Sequence, residues 1–115
     1  MSMTMDLAAA AKAMHGTLMG DNGTFSEVST DSRKITGGEL FIALRGDNFD
    51  GHEFVAAAKA RGAAAAVVDS NTLEKFEQIG LPLLVVANTR LALGTLAAHW
   101  RARFSLPLIA VTGSN

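Results

Sequence analysis

The sequence predicts an α/β fold, a small mixed or parallel sheet flanked by helices. Three observations carry that reading. Beyond residue 50, apolar strand-like runs and amphipathic helix-like runs alternate as strand–helix–strand–helix–strand, the order that builds a parallel sheet with right-handed crossovers. The runs at 64–68 and 83–87 are apolar at every position, as strands covered by helices on both faces must be. Leu93, Leu96, Ala97, Trp100 and Phe104 recur at i, i+3, i+4, i+7 and i+11, a continuous buried stripe along one helix.

Each element has a local reason. Residues 6–15 place Leu7, Ala10, Ala11 and Met14 on one helical face, and Gly16 follows as a stop. Residues 19–23 read as a turn, because Gly20, Asn22 and Gly23 tolerate a left-handed backbone. Extended pieces are expected at 25–29 and 40–44, separated by a turn at Gly37 and Gly38. Asp50 with Glu53 has the spacing of a capping box and opens a helix with Phe54, Val55 and Ala58 inward, closed by Gly62. After the strand at 64–68, Asn71 and Glu74 cap a helix that points Leu73 and Phe76 inward and ends at Gly80 and Pro82. Asn88 then starts the longest helix, and beyond Pro107 residues 108–111 form another buried strand.

Composition bounds the function. A chain of 115 residues, 49% hydrophobic and 18% charged, fits one domain at roughly 100–200 residues each. It needs no disulfide or metal staple, which small chains require only below about 40 residues. With no cysteine, thiol catalysis and zinc–thiolate sites are excluded. A net charge of −1 and a pI near 6.3 give no basic field, so no nucleic-acid partner is expected. No run reaches the about 18 apolar residues of a membrane span. The first 14 residues lack the basic start and apolar core of a signal peptide, so the expected location is cytoplasmic.

Three segments can carry chemistry. Thr112, Gly113, Ser114 and Asn115 follow a predicted buried strand, as a phosphate-binding loop does when its N–H groups cradle phosphate oxygens; a plain turn after a strand fits the same four residues. Ser29, Thr30, Asp31, Ser32 and Arg33 bring three hydroxyls, a carboxylate and a guanidinium together. Such a run hydrogen-bonds a sugar or nucleoside and forks a diphosphate, and it equally fits an Asx/ST turn with a solvated arginine. In the stretch from Arg45 to His52, Gly46 and Gly51 permit close approach to a ligand. There Asp47, Asn48 and Phe49 form a loop and His52 sits in the first turn of the next helix, where it meets an anion or remains a surface residue. The three histidines share no metal-ligand spacing, and no metal site is expected.

Taken in order, Ser29 to Arg33, Gly38 to Leu44, Gly46, Phe49 to Phe54, Ala57, Gly62, Ala63 and Val111 to Asn115 resemble the N-terminal domain of the Mur ligase family. The resemblance runs from residue 29 to 115. It implies residues 1–105 as a UDP-substrate-binding domain and residues 106–115 as the start of a central ATP-binding domain. It further implies that Thr30, Ser32, Arg33, Asp47, Asn48, Phe49 and His52 contact a UDP-muramoyl peptide. Thr112, Gly113, Ser114 and Asn115 then form an incomplete ATP loop, with no catalytic residue within these 115. The Phe49 to His52 stretch and the Thr112 to Asn115 loop resemble most the family member that joins D-alanyl-D-alanine to UDP-N-acetylmuramoyl-tripeptide, via an acyl phosphate, in peptidoglycan synthesis. A second reading is the preceding member, which adds diaminopimelate or lysine to the UDP-linked dipeptide. A reading of another class is a free-standing UDP-sugar-binding module. ATP and Mg2+ serve the full-length enzyme on this resemblance. The 115 residues alone are expected to bind neither and to be inactive, with the gene continuing into Gly, Lys and Thr or Ser.

Overall fold

The computed structural model describes residues 4–46, 49–76 and 78–103. The stripe residue Phe104, the strand expected at 108–111 and the expected domain boundary at 106 lie outside the described residues. The elements are β1 (Met5–Asp6), α1 (Leu7–Ala13), β2 (Thr17–Met19), β3 (Thr24–Phe25), β4 (Val28–Ser29), β5 (Leu40–Ile42), α2 (Val55–Ala60), β6 (Ala65–Asp69), β7 (Leu83–Val86) and α3 (Thr89–Arg103). Three 3-10 turns at Ser32–Lys34, Gly51–Phe54 and Ser70–Phe76 complete the elements of the described residues.

A five-stranded mixed sheet runs in the order β2-β7-β6-β5-β4, and β1 and β3 make a separate two-stranded ribbon. Strands β4, β5, β6 and β7 are mutually parallel, while β2 lies antiparallel along β7. The expected class holds. Because successive side chains of a strand alternate, Leu40, Ile42, Ala65, Val67, Leu84 and Val86 face α1, α3 and the ribbon, with Phe25 and Trp100 among them. Phe41, Ala43, Ala66, Val68 and Leu83 face the other way, onto Val55 and Ala58 of α2, Ile35 and Phe76. Strand runs apolar at every position are what two covered faces demand.

Several local expectations are corrected. The stretch 25–29 is two strands in two different sheets, with the exposed Ser26 and Glu27 between them. Residues 17–19, where no strand is expected and the turn is expected to begin at Met19, are the antiparallel edge strand β2. Helix α1 ends with His15, not Gly16, in the left-handed conformation at φ 59. His15 N donates to the carbonyl of Lys12 and Gly16 N to that of Ala11, the pairing of a Schellman motif. Gly16 is required by space: a Cβ there would lie 2.6 Å from the carbonyl oxygen of Val85 and 2.7 Å from Cγ1 of Val86. The helix expected from Asn71 is the 3-10 turn Ser70–Phe76, begun by Asp69, whose carboxylate accepts from Thr72 N at 3.1 Å. Phe54, expected inward, is exposed. Asp50 accepts from His52 N rather than forming the expected box with Glu53. By contrast Asn88 caps α3 as expected, its Oδ1 taking Leu91 N at 2.9 Å.

Candidate functional site at the carboxyl edge of the sheet

Four parallel strands put four connections on one edge. The chain leaves β4 at Thr30, β5 at Ala43, β6 at Ser70 and β7 at Ala87, and in open α/β sheets ligands bind at the carboxyl ends of the strands. Both polar segments singled out in the sequence leave from this edge, on the adjacent strands β4 and β5.

After β4, Ser29 Oγ donates to the carbonyl of Asp31 at 2.9 Å and accepts Asp31 N at 3.2 Å. Asp31 Oδ1 accepts Arg33 N at 2.9 Å and Arg33 Nε at 3.0 Å, and Oδ2 takes Nη2 at 2.9 Å. The side-chain and backbone hydrogen bonds from Arg33 hold the Asp31 carboxyl below its usual range. This is the Asx/ST turn of the alternative reading, and Arg33 projects into solvent from it. Thr30 is exposed. Ser32 is buried, and its hydroxyl makes no hydrogen bond to a described residue. The segment is anchored from below by Glu39. Its buried carboxylate accepts Thr36 N and Oγ1, each at 2.9 Å, and Gly37 N at 2.7 Å.

After β5 the chain turns back on itself. Arg45 and Asp50 form an antiparallel bridge, Gly46 N donates to the carbonyl of Phe49 at 2.8 Å, and Gly51 N to that of Leu44 at 2.6 Å. A Cβ on Gly46 would fall 2.5 Å from the Phe49 ring, and one on Gly51 2.7 Å from Leu44 N. Gly51 is therefore required by close approach of backbone, whereas at Gly46 the exposed Phe49 ring can swing aside. Phe49 is 56% exposed and lies over Gly46. Asp47 and Asn48 lie outside the described residues, as do Thr112, Gly113, Ser114 and Asn115.

His52 is placed differently from either expectation. It is buried at 3% exposure, with its ring stacked on Phe76 at 6.3 Å. Nε2 accepts the backbone N–H of Asp69 at 3.1 Å. The proton therefore sits on Nδ1, which faces Asp50 Oδ1 at 2.7 Å. With both nitrogens engaged, the buried ring ties the β5 turn to the end of β6.

A network closes around it. Arg45 Nε meets Asp50 Oδ2 at 3.2 Å and its Nη1 meets Asp69 Oδ2 at 2.5 Å. Burial pushes the Asp50 carboxyl up, but the His52 N–H, the His52 ring and the Arg45 guanidinium outweigh it and hold it at about 2. Arg90 Nη2 donates to the carbonyl of Arg45 at 3.1 Å. Arg45, Asp69, Asn71, Asn88, Thr89 and Arg90 surround a cleft of about 320 Å³ above β6 and β7. Sequence reasoning passed over Asp69 and Arg90. Two signals were there: an acid closing an otherwise apolar strand run, and an arginine in the first turn of a helix, where the macrodipole disfavours a cation.

Among the described residues no group of three histidine, aspartate or glutamate side chains is placed to hold a metal ion. No described helix is long and apolar enough to cross a membrane.

Residues 24–101 match the family described as Mur ligase family, catalytic domain. The UDP-N-acetylmuramoyl-tripeptide–D-alanyl-D-alanine ligase of Escherichia coli strain K12 is 42% identical over 113 residues, covering 98% of this chain and 24% of the relative. The crystal structure of MurF from Acinetobacter baumannii superposes with a TM-score of 0.75 at 33% identity, over 89% of this chain and 22% of that one. MurF ligase from Thermotoga maritima in complex with ADP gives 0.56 at 26% identity, over 68% and 17%. The chain spans about a quarter of the length of the curated relative.

Proposed function

The chain belongs to the Mur ligase family, and we propose that it is the substrate-holding N-terminal part of an ATP-dependent ligase joining D-alanyl-D-alanine to UDP-N-acetylmuramoyl-tripeptide. A relative 42% identical over 98% of this chain carries that name, and the solved neighbours are MurF enzymes. ATP and Mg2+ belong to the full-length enzyme on this reading, and a neighbour solved with ADP supports the nucleotide. When bound, ATP supplies the phosphoryl group that activates the peptide carboxylate for attack by the dipeptide amine. The residues of this chain do other work: they grip the UDP end and fix where the peptide points, and such positioning is worth several kcal/mol of barrier.

The observation that carries the reading is the shared carboxyl edge. Thr30, Ser32 and Arg33 follow β4 and Phe49 follows β5, so both segments leave the same edge of the sheet from adjacent parallel strands, where ligands of open α/β sheets bind. The buried Ser32 hydroxyl, without a partner among the described residues, is a ready donor or acceptor for a uridine. Phe49 offers an exposed ring face to a base or sugar. Asp47 and Asn48 complete the loop, and Thr112, Gly113, Ser114 and Asn115 would open the ATP loop. His52 serves by holding the β5 turn rather than by touching substrate.

Titration calorimetry of the chain with UDP-N-acetylmuramoyl-tripeptide tests this. Binding is expected, and Ser32→Ala and Arg33→Ala are expected to weaken it. Absence of binding, or binding that ignores both substitutions, refutes the assignment of this edge. For the full-length enzyme, phosphate release that requires both the UDP-tripeptide and D-alanyl-D-alanine is the expected result. Release driven instead by diaminopimelate or lysine with the UDP-dipeptide overturns the choice within the family.

A further inference from the structure

The turn between β2 and β3 lies away from the carboxyl-edge site and has a chemistry of its own. It holds Asn22 and Gly23, and Asn22 is the one asparagine of the 115 residues that a glycine follows. Both residues are exposed. The Asn22 side chain folds back on its own backbone: Oδ1 accepts Gly23 N at 3.0 Å and Ala8 N at 3.0 Å. Oδ1 is one bond of about 1.2 Å from Cγ, so Gly23 N stands within about 4 Å of the amide carbon, near the roughly 3–3.5 Å of a pair poised to react. Negative charge that develops on Oδ1 when a bond forms at Cγ meets the Ala8 N–H already in place. Gly23 carries no Cβ to obstruct its nitrogen. Other positions lack this combination. Asn71 and Asn88 precede the buried, β-branched Thr72 and Thr89, and Asn88 Oδ1 is committed to Leu91 N. Asp50 also precedes a glycine, but Gly51 N is held by the carbonyl of Leu44 at 2.6 Å and is hemmed in by backbone.

We propose that Asn22 and Gly23 form a self-modification site, at which the fold promotes deamidation of Asn22 through a cyclic imide. Gly23 N loses its proton to a solvent base, and its electron pair forms the bond to Cγ. The Cγ–Nδ2 bond breaks, and Nδ2 takes a proton from water and leaves as ammonia. Water then opens the five-membered imide. Cleavage between Cγ and nitrogen yields aspartate, and cleavage between the Asn22 main-chain carbonyl carbon and nitrogen yields isoaspartate, so the net change is one water consumed and one ammonia released. The two products differ in consequence. Aspartate keeps an oxygen for Ala8 N. Isoaspartate routes the main chain through Cβ and Cγ, lengthening it just ahead of the Gly23 carbonyl, which accepts Leu7 N at 2.8 Å. Thr24 and Phe25 follow, paired with Asp6 and Met5, and Phe25 stands 6.0 Å from Trp100. Isoaspartate at 22 therefore loosens the β1–β3 ribbon and disturbs the aromatic pair beneath it.

The test incubates the 115-residue chain at mildly alkaline pH, folded or unfolded in urea, and follows the tryptic peptide 13–33 by mass spectrometry. In the folded chain this peptide is expected to exchange NH for oxygen, to take that oxygen from isotopically labelled water, and to split into aspartate and isoaspartate forms. Conversion is expected to be at least as fast folded as in urea, with Asn71 and Asn88 unchanged over the same time. Gly23→Ala, whose Cβ meets only Leu7 Cδ1 at an ordinary 3.7 Å, is expected to fold and to convert several-fold more slowly. The isolated isoaspartate form is expected to melt below the Asn22→Asp variant and to show an altered Trp100 near-ultraviolet signal. Slower conversion in the folded chain than in urea overturns the role of the fold. Aspartate as the sole product, or a Gly23→Ala rate equal to the parent's, overturns the imide route. Conversion of Asn71 or Asn88 at the rate of Asn22 overturns the site, and isoaspartate and Asn22→Asp forms that melt together overturn its effect on the ribbon.

Discussion

Replacing Asp50 by Asn probes the network that shapes the carboxyl edge. In the folded chain the Asp50 carboxylate takes His52 N at 3.0 Å, His52 Nδ1 at 2.7 Å and Arg45 Nε at 3.2 Å. Burial alone would raise its pKa, yet these donors bring it from an ordinary 3.8 to about 2. At about 1.36 kcal/mol per unit this gap amounts to about 2 kcal/mol, and the side chain's 28% exposure trims it to about 1–2 kcal/mol through screening. A carboxyl whose folded pKa is depressed stabilises the fold above its unfolded value and loses that contribution as pH falls through the folded value. The stabilisation is therefore full above about pH 5 and mostly gone near pH 2. Urea unfolding followed by the fluorescence of Trp100, which is buried against Phe25, measures it. At pH 7, Asp50→Asn is expected to be less stable by about 1–2 kcal/mol, roughly 5–10 °C in Tm for a chain of this size. Toward pH 2 the difference should shrink to a few tenths. Asp31 and Glu39, whose carboxyls are also held low, titrate in both proteins and cancel in the comparison. A difference that stays constant from pH 7 to pH 2.5 would refute the charge argument.

Three further perturbations follow from the same geometry. Glu39→Gln turns a donor toward the N–H groups of Thr36 or Gly37 that the buried carboxylate now accepts, and should cost about 2 kcal/mol in urea unfolding; an unchanged midpoint would show that the turn is held elsewhere. His52→Asn keeps a donor toward Asp50 and strands the Asp69 N–H, whereas His52→Gln does the reverse. Each should cost about 1–3 kcal/mol, with His52→Leu worse than either, and a leucine variant melting with the parent would remove the network from the account. Gly16→Ala drives a Cβ into β7, whereas Gly37→Ala meets nothing within 4 Å and bears only the strain of φ 138. Thermal unfolding should rank Gly16→Ala as the more damaging, by about 1–3 kcal/mol against about 1.

What the chain revealed before folding follows from short-range physics. Apolar-on-both-faces runs specify covered parallel strands. The stripe through Leu93, Leu96, Ala97 and Trp100 specifies one buried helix face, and Asn88 specifies where that helix starts. The polar and glycine-bearing segments after β4 and β5 were visible for the same reason, since each is contiguous in sequence. Less visible was anything set by a partner far along the chain. Strand β2 has too few residues to show a period and exists because β7 has an open edge. Likewise, the piece at 25–29 splits because Phe25 pairs with Met5 while Val28 pairs with Leu40.

The site divides in the same way. Sequence alone determined which residue types gather near 30 and near 50. Tertiary structure decided what each of them does: Arg33 closes its own turn, and His52 becomes an interior brace between Asp50 and the Asp69 backbone. Arg45 after β5, Asp69 at the end of β6 and Arg90 in the first turn of α3 meet at one edge. Parallel strands of one sheet bring their carboxyl ends together whatever their separation in sequence, so contacts across 17 or 45 residues leave no local pattern to read.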